Sequence, residues 1–215
     1  MIKNRIVNLT LAGLGLIGAA FPLMANAQPD MSNSREARAA LDTLGACLAN
    51  VRGAEVGAFL RNPSERNWHR VTAYRNDEAP CIGLYSVTTS QAAMRGAAAE
   101  AWYVARYAQG APTSFTTADN TAPPQEDTAA RIAAASDADR PQVIIDEFAR
   151  CVAATAPGKV DKLLRTPVAS TLEAEAIRGL TMAFAPCAFE GQKLGFDAET
   201  LRAALAFALA RRVAF

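Results

Sequence analysis

The chain has 215 residues, of which 22 are Lys or Arg, 21 Asp or Glu and one His, giving a formal charge of +1. With the charges so evenly matched, neither nucleic acid nor anionic lipid is a natural partner, since both select for a marked basic excess. A single histidine excludes a multi-His metal site, and no metal or cofactor is expected.

The N-terminus has three parts in order. Lys3 and Arg5 form a short basic region, Ile6 to Met24 is a nearly uncharged run, and Ala25-Asn26-Ala27 is a small-x-small site. This layout predicts a secretory signal over residues 1–27, removed after Ala27. Gly13, Gly15, Gly18 and Pro22 interrupt the apolar run, which is short for a retained anchor. Leu44-Gly45-Ala46-Cys47 imitates a lipoprotein processing box. It lies too far behind the apolar region, past Asp30, Arg35, Glu36 and Arg38, to act as one. Without its signal the chain loses two basic residues and no acid, leaving 20 basic against 21 acidic residues. The expectation is a periplasmic or secreted protein of a Gram-negative-type envelope, with no membrane insertion after cleavage.

Four cysteines in an exported chain suggest disulfides. Composition alone leaves three pairings open, and an internal comparison narrows them. At an offset of 104, Cys47 meets Cys151 and Val56 meets Val160. At the same offset Phe59-Leu60-Arg61 meets Leu163-Leu164-Arg165, and Pro63 meets Pro167. At 106, Ala79-Pro80-Cys81 meets Ala185-Pro186-Cys187, and at 107, Met94-Arg95 meets Leu201-Arg202. A duplication follows, with one bridge per copy: Cys47–Cys81 and Cys151–Cys187. Bridges swapped between copies are the alternative. A unit of about 75 residues has a marginal core, for which a staple compensates.

In chain order, Ser34 caps a helix to about Arg52, with Leu41, Leu44, Leu48 and Val51 on its apolar face. A short helix ends at Arg61-Asn62-Pro63, because proline disfavours helix in the residue before it. Trp68 to Tyr74 reads as either a helical turn or a short extended piece. Ser90 to Tyr107 closes the first unit (28–109) as a helix. Gly110 to Asp127 is rich in Pro, Thr and Ser, with Phe115 as its apolar anchor, and the linker is placed at 110–130. The second unit (131–215) repeats the order. Its helices run from about Pro141 to Ala156, to a stop at Arg165-Thr166-Pro167, from Thr171 to Phe184, and from Ala198 to Arg212. Only Tyr85 to Thr89 alternates like a strand. The fold class expected is therefore all-α, as two tandem related helical units. The C-terminal Phe215 follows an alanine-rich run of helical period, so it does not mark a barrel strand.

Chemistry is sparsely signalled. No G-x-S-x-G, P-loop, G-x-G-x-x-G or C-x-x-C occurs. His69 with Ser64 or Ser86 is the one arrangement open to nucleophilic catalysis. A surface histidine beside Trp68 explains it more simply. The acidic clusters Asp77-Glu78, Glu126-Asp127, Asp146-Glu147, Glu173 with Glu175, and Asp197 with Glu199 read as caps and solvated helix faces. A glycosidase needs two carboxylates at a set separation in a cleft, and sequence does not give separations. Arg61 and Arg165 end equivalent helices, and Arg95 and Arg202 begin the equivalent closing ones. They read as helix-terminal and stem-packing residues or as an anion-binding groove between copies. Trp68, Trp102, Tyr103 and Tyr107 occur only in the first copy. They read as core packing or as a partner-binding face. The expected function is a non-enzymatic exported protein that binds an envelope protein or another envelope component. The alternatives are a hydrolase of a carbohydrate or peptide, and a binder of a small anionic ligand between the copies.

Overall fold

The computed structural model describes residues 35–73, 81, 89–112, 125–189 and 195–214. The signal segment, Ser34, Asp77, Glu78, Ser86, Phe115, most of the Tyr85–Thr89 stretch and Phe215 lie outside them. Among the described residues there are ten α-helices and one 3-10 turn, and no strand.

The helices are α1 (Arg35–Val51), α2 (Gly53–Arg61), α3 (Glu65–Thr72), α4 (Gln91–Arg106), α5 (Gln125–Ala134), α6 (Arg140–Thr155), α7 (Pro157–Leu164), α8 (Thr171–Gly179), α9 (Thr181–Phe184) and α10 (Ala198–Val213). The 3-10 turn follows α9 at Ala185–Cys187. Their starts have local causes. Ser64, Ser90, Ser170 and Asp197 each accept a hydrogen bond from the backbone N–H three residues on, which satisfies a donor the helix itself leaves open. Prolines stand in the first turns of α6 and α7, where the missing N–H costs nothing.

One reading left open by the sequence is decided, and two boundaries differ from the expectation. The segment at Trp68 is helical, since Ser64 caps α3 and Trp68 and Val71 turn to the core one turn apart. The stretch Thr171–Phe184 is two helices. The backbone turns at Leu180, which is fully buried, and Gly179 gives its carbonyl to Lys159 Nζ at 3.1 Å. The stretch expected as linker at 110–130 contains the start of α5. Glu126 and Asp127 favour a helix N-terminus, and Thr128 and Arg131 bond Glu147 on α6, which holds α5 in place.

Four long helices stand side by side in the order α1, α4, α10, α6. Neighbours run in the same direction. Arg38 lies near Ala93 and Asn50 near Ala105 along α1 and α4. Gly96 meets Ala203, and Tyr107 O–H donates to the Val213 carbonyl, along α4 and α10. Gln142 lies near Thr200, and Arg212 donates to the Ala154 carbonyl, along α6 and α10. Parallel neighbours need return connections. The segment from α2 to residue 90 makes one, and α7 to residue 197 makes another.

Each return is tied to the long helix before it by a disulfide. Cys47 on α1 is joined to Cys81, and Cys151 on α6 to Cys187, with sequence separations of 34 and 36. All four cysteines are thus oxidised, a state that persists in an oxidising compartment. One hydrophobic core runs through the molecule. Val56, Phe59 and Leu60 of α2, Val160, Leu163 and Leu164 of α7, and Leu201, Leu205 and Leu209 of α10 belong to it together. Alanines at 93, 98, 99, 206 and 210 let the central helices approach closely. No helix among the described residues is long and apolar enough to cross a membrane.

Candidate functional site

The helix row leaves two open grooves. The first runs between α1 and α4, is walled by Leu164 to Val168, and has a volume of about 760 Å³. The second runs between α6 and α10, with about 300 Å³. Their linings stand at constant separations in the sequence. Asp42, Ala46, Ala49 and Asn50 of the first are 104 residues before Asp146, Arg150, Ala153 and Ala154 of the second. Glu100, Ala101, Val104 and Ala105 are 107 residues before Phe207, Ala208, Arg211 and Arg212. Two smaller crevices beside the α4–α10 contact are matched in the same way. Arg38, Leu41 and Arg202 line one of about 30 Å³, and Gln142, Ile145 and Arg95 occupy the corresponding places in one of about 270 Å³.

The smaller crevice is filled by charge. Arg202 grips Glu100 through Nε at 2.9 Å and Nη2 at 2.5 Å, and reaches Glu173 through Nη1 at 3.0 Å. Arg38 takes both oxygens of Glu173, at 2.6 and 2.8 Å. The Ala169 N–H adds a bond to Glu173 at 2.9 Å, which holds Ala169 at φ 53°, in the left-handed region an alanine enters only under constraint. All four side chains are buried, Glu173 to 2% exposure. Burial pushes the Glu100 carboxyl up against the pull of Arg202. Burial also acts on Glu173, but the two guanidiniums outweigh it and hold that carboxyl below the usual range. Carboxylates whose affinities are driven apart are the raw material of acid–base catalysis. Here their oxygens are spent on arginines and backbone, so the cluster serves as an internal clamp between α1, α4, α8 and α10.

No protein-family model, curated protein or solved structure matches the chain.

The residues singled out from sequence are dispersed. Arg165 and Arg202 share the first groove. Arg165 is held by Asp161 at 2.9 Å and donates to the Tyr107 carbonyl at 2.8 Å. Arg95 lies in the 270 Å³ crevice, paired with Glu65 and stacked 5.4 Å from Phe59 and 5.5 Å from Trp68. Its Nε is buried without a hydrogen-bond partner among the described residues. Arg61 is exposed and donates to the Ala214 carbonyl at 3.4 Å.

The aromatic residues are placed mainly by packing. Trp68 is 3% exposed, against Phe59 at 5.1 Å, and Tyr103 is fully buried with its O–H donating to Asp161 at 2.7 Å. Burial and that bond to a carboxylate raise the Tyr103 pKa. Trp102 and Tyr107 are half-buried, Trp102 beneath Arg106. Trp68 and Tyr103 thus pack in the core, whereas Trp102 and Tyr107 keep part of their surface open. His69 is exposed, and Ser64 Oγ is occupied as a helix cap.

Sequence reasoning overlooked the arginines of the second groove. Arg150, Arg211 and Arg212 stand where the first groove has Ala46, Val104 and Ala105. The same internal alignment that paired the cysteines would have shown three apolar positions exchanged for cations.

Proposed function

We propose that the chain is an exported, duplicated scaffold that binds an envelope protein or another envelope component in a helix-pair groove and performs no chemistry on it. On this reading residues 1–27 are removed on export, and residues 28–109 and 131–215 are copies of one unit, each stapled by its own disulfide. The observation that carries the proposal is the pair of open grooves lined at matching positions. Two grooves at corresponding places in one chain are accounted for by binding, and their linings differ in charge as those of two binding surfaces can.

The duplication draws support from the order of long helix, short helix, short helix and bridged return, and from the disulfide separations of 34 and 36. It also draws support from Gly96 meeting Ala203, residues that correspond in the two halves. The hydrolase alternative has its best carboxylates in Glu100 and Glu173, and these are occupied within the clamp.

The test is crosslinking of the tagged chain in intact cells followed by its isolation, alongside a thermal-shift screen of small ligands. Recovery of one specific envelope component is the expected result. Finding none, or finding hydrolysis of a carbohydrate or peptide by the purified chain, would overturn the proposal.

A further inference from the structure

Helix α5 is held to the molecule differently from the long helices. Of residues 126–134 only Thr128 is buried, at 4% exposure, and Ile132 is half-buried. The others are exposed, and none of these nine belongs to the hydrophobic core. A helix of 10 residues is marginal in water without an apolar face to bury. Something other than apolar burial keeps it on α6.

That fastening is one carboxylate. Glu147 of α6 is buried and accepts from Arg131 Nε at 2.7 Å and from Arg131 Nη2 at 2.9 Å. Thr128 Oγ1 donates to it at 3.4 Å. Arg150 holds it from α6 itself, at 2.5 and 3.0 Å, and reaches Thr128 Oγ1 at 3.2 Å. The other charged groups on this side are Asp127 of α5, whose field acts on Arg131, and Asp146 of α6, which accepts from Gln142. From α10 come Arg211, on the Leu60 carbonyl, and Arg212, on the Ala154 carbonyl. The first half of the chain has no such fastening at the corresponding place. Thr43 and Ala46 stand 104 residues before Glu147 and Arg150, and Thr43 Oγ1 donates to the Ala39 carbonyl of its own helix.

We infer that α5 is a releasable strap, fastened to α6 through Glu147 and let go as a unit when that carboxyl is protonated, while the core stays folded. The strap is independent of the binding role proposed above. As a carboxylate, Glu147 offsets the charge of Arg131 and Arg150. Once neutral it leaves both cations without that charge and keeps hydrogen bonds of ordinary strength. Arg131 is 44% exposed, so water takes over its donors at little cost, and the strap loses its hold. The two arginines keep the carboxyl below its ordinary 4.5, so α5 is fastened above that pH and let go as pH falls through the folded value. Release bares the side of α6 that carries Glu147. Val143 and Ile144, both half-buried, stand one turn earlier on that side, and Glu147 and Arg150 line the α6–α10 groove. Acid thus turns a charged, covered edge of that groove into an open one with apolar residues beside it.

The test is amide hydrogen exchange of the purified chain, expressed as protection relative to an unstructured chain at the same pH, so that the intrinsic pH dependence of exchange cancels. Going from about pH 7 to about pH 3.5, protection of α5 is expected to fall about tenfold or more while that of α4 and α10 holds. In R131Q, α5 should already be about tenfold less protected at neutral pH, the effect of losing a charge-assisted hydrogen bond, and should respond little to acid. E147Q should behave in the same way, and the exposure of Arg131 makes R131Q the variant that leaves the core undisturbed. Equal protection of α5 at both pH values in the parent would overturn the inference. So would parental protection of α5 in both variants, or a loss in acid that α4 and α10 share to the same extent.

Discussion

Gly96 of α4 packs directly against Ala203 of α10, backbone to backbone. A Cβ built on Gly96 would lie 2.4 Å from the Ala203 Cβ and 2.6 Å from its carbonyl oxygen. Backbone is on both sides, so no flexible side chain can yield. G96A should therefore destabilise the chain by about 1–3 kcal/mol through overpacking. Gly158 in α7 has nothing within 4 Å of the point where a Cβ would stand. G158A should be neutral or stabilise by about 0.5–1 kcal/mol through helix propensity. Urea unfolding of both variants tests the opposite signs.

Arg202 ties Glu100 and Glu173 together from 4% exposure. Replacing it by Met leaves two buried carboxylates short of their partner, and R202M should cost about 3–5 kcal/mol. Glu65 is largely exposed where it meets Arg95, so E65Q should change stability far less. Comparing the two denaturation midpoints checks the contrast.

Glu147 has its carboxyl held below the ordinary 4.5: burial raises it, but Arg131 and Arg150 outweigh burial. A depressed carboxylate stabilises the fold above its unfolded value, and that share is lost as pH falls through the folded value. The stability of the parent relative to E147Q should therefore be constant above about pH 4.5 and shrink below it. Parallel unfolding curves across that range measure the difference. A gap that widened on acidification would contradict the assignment.

The bridges close loops of similar size, with separations of 34 and 36. On the chain-entropy view each contributes roughly 3–4 kcal/mol. The double variants C47A/C81A and C151A/C187A should each lose about that much, measured without reductant.

Much of the fold was legible because its signals are local. Pro63 and Pro167 mark helix stops, Ser90 and Asp197 mark starts, and the two Cys-to-Cys spacings mark the bridges. The clamp was not legible, because Arg38 and Glu173 are 135 residues apart and nothing near either one announces the other. Arg202 illustrates the difficulty. Its position relative to Arg95 was visible, but not that one is sealed inside and the other half-open. That difference is made by Glu100 standing at the position that Phe207 holds on the other side. Trp68 and Tyr103 could be read as surface or core from type alone, and only tertiary packing places them. The start of α5 was hidden by proline-rich flanks, while its anchor, Glu147, lies on another helix.

The binding role is tested most directly by placing a photo-crosslinking residue in each groove, at Ala49 and at Ala154, and on the exposed face of α5 at Ala130 as control. After irradiation of intact cells, one discrete adduct is expected from Ala49 or Ala154 and none from Ala130. Equal adduct patterns from all three positions, or none from either groove, would contradict a groove-binding scaffold.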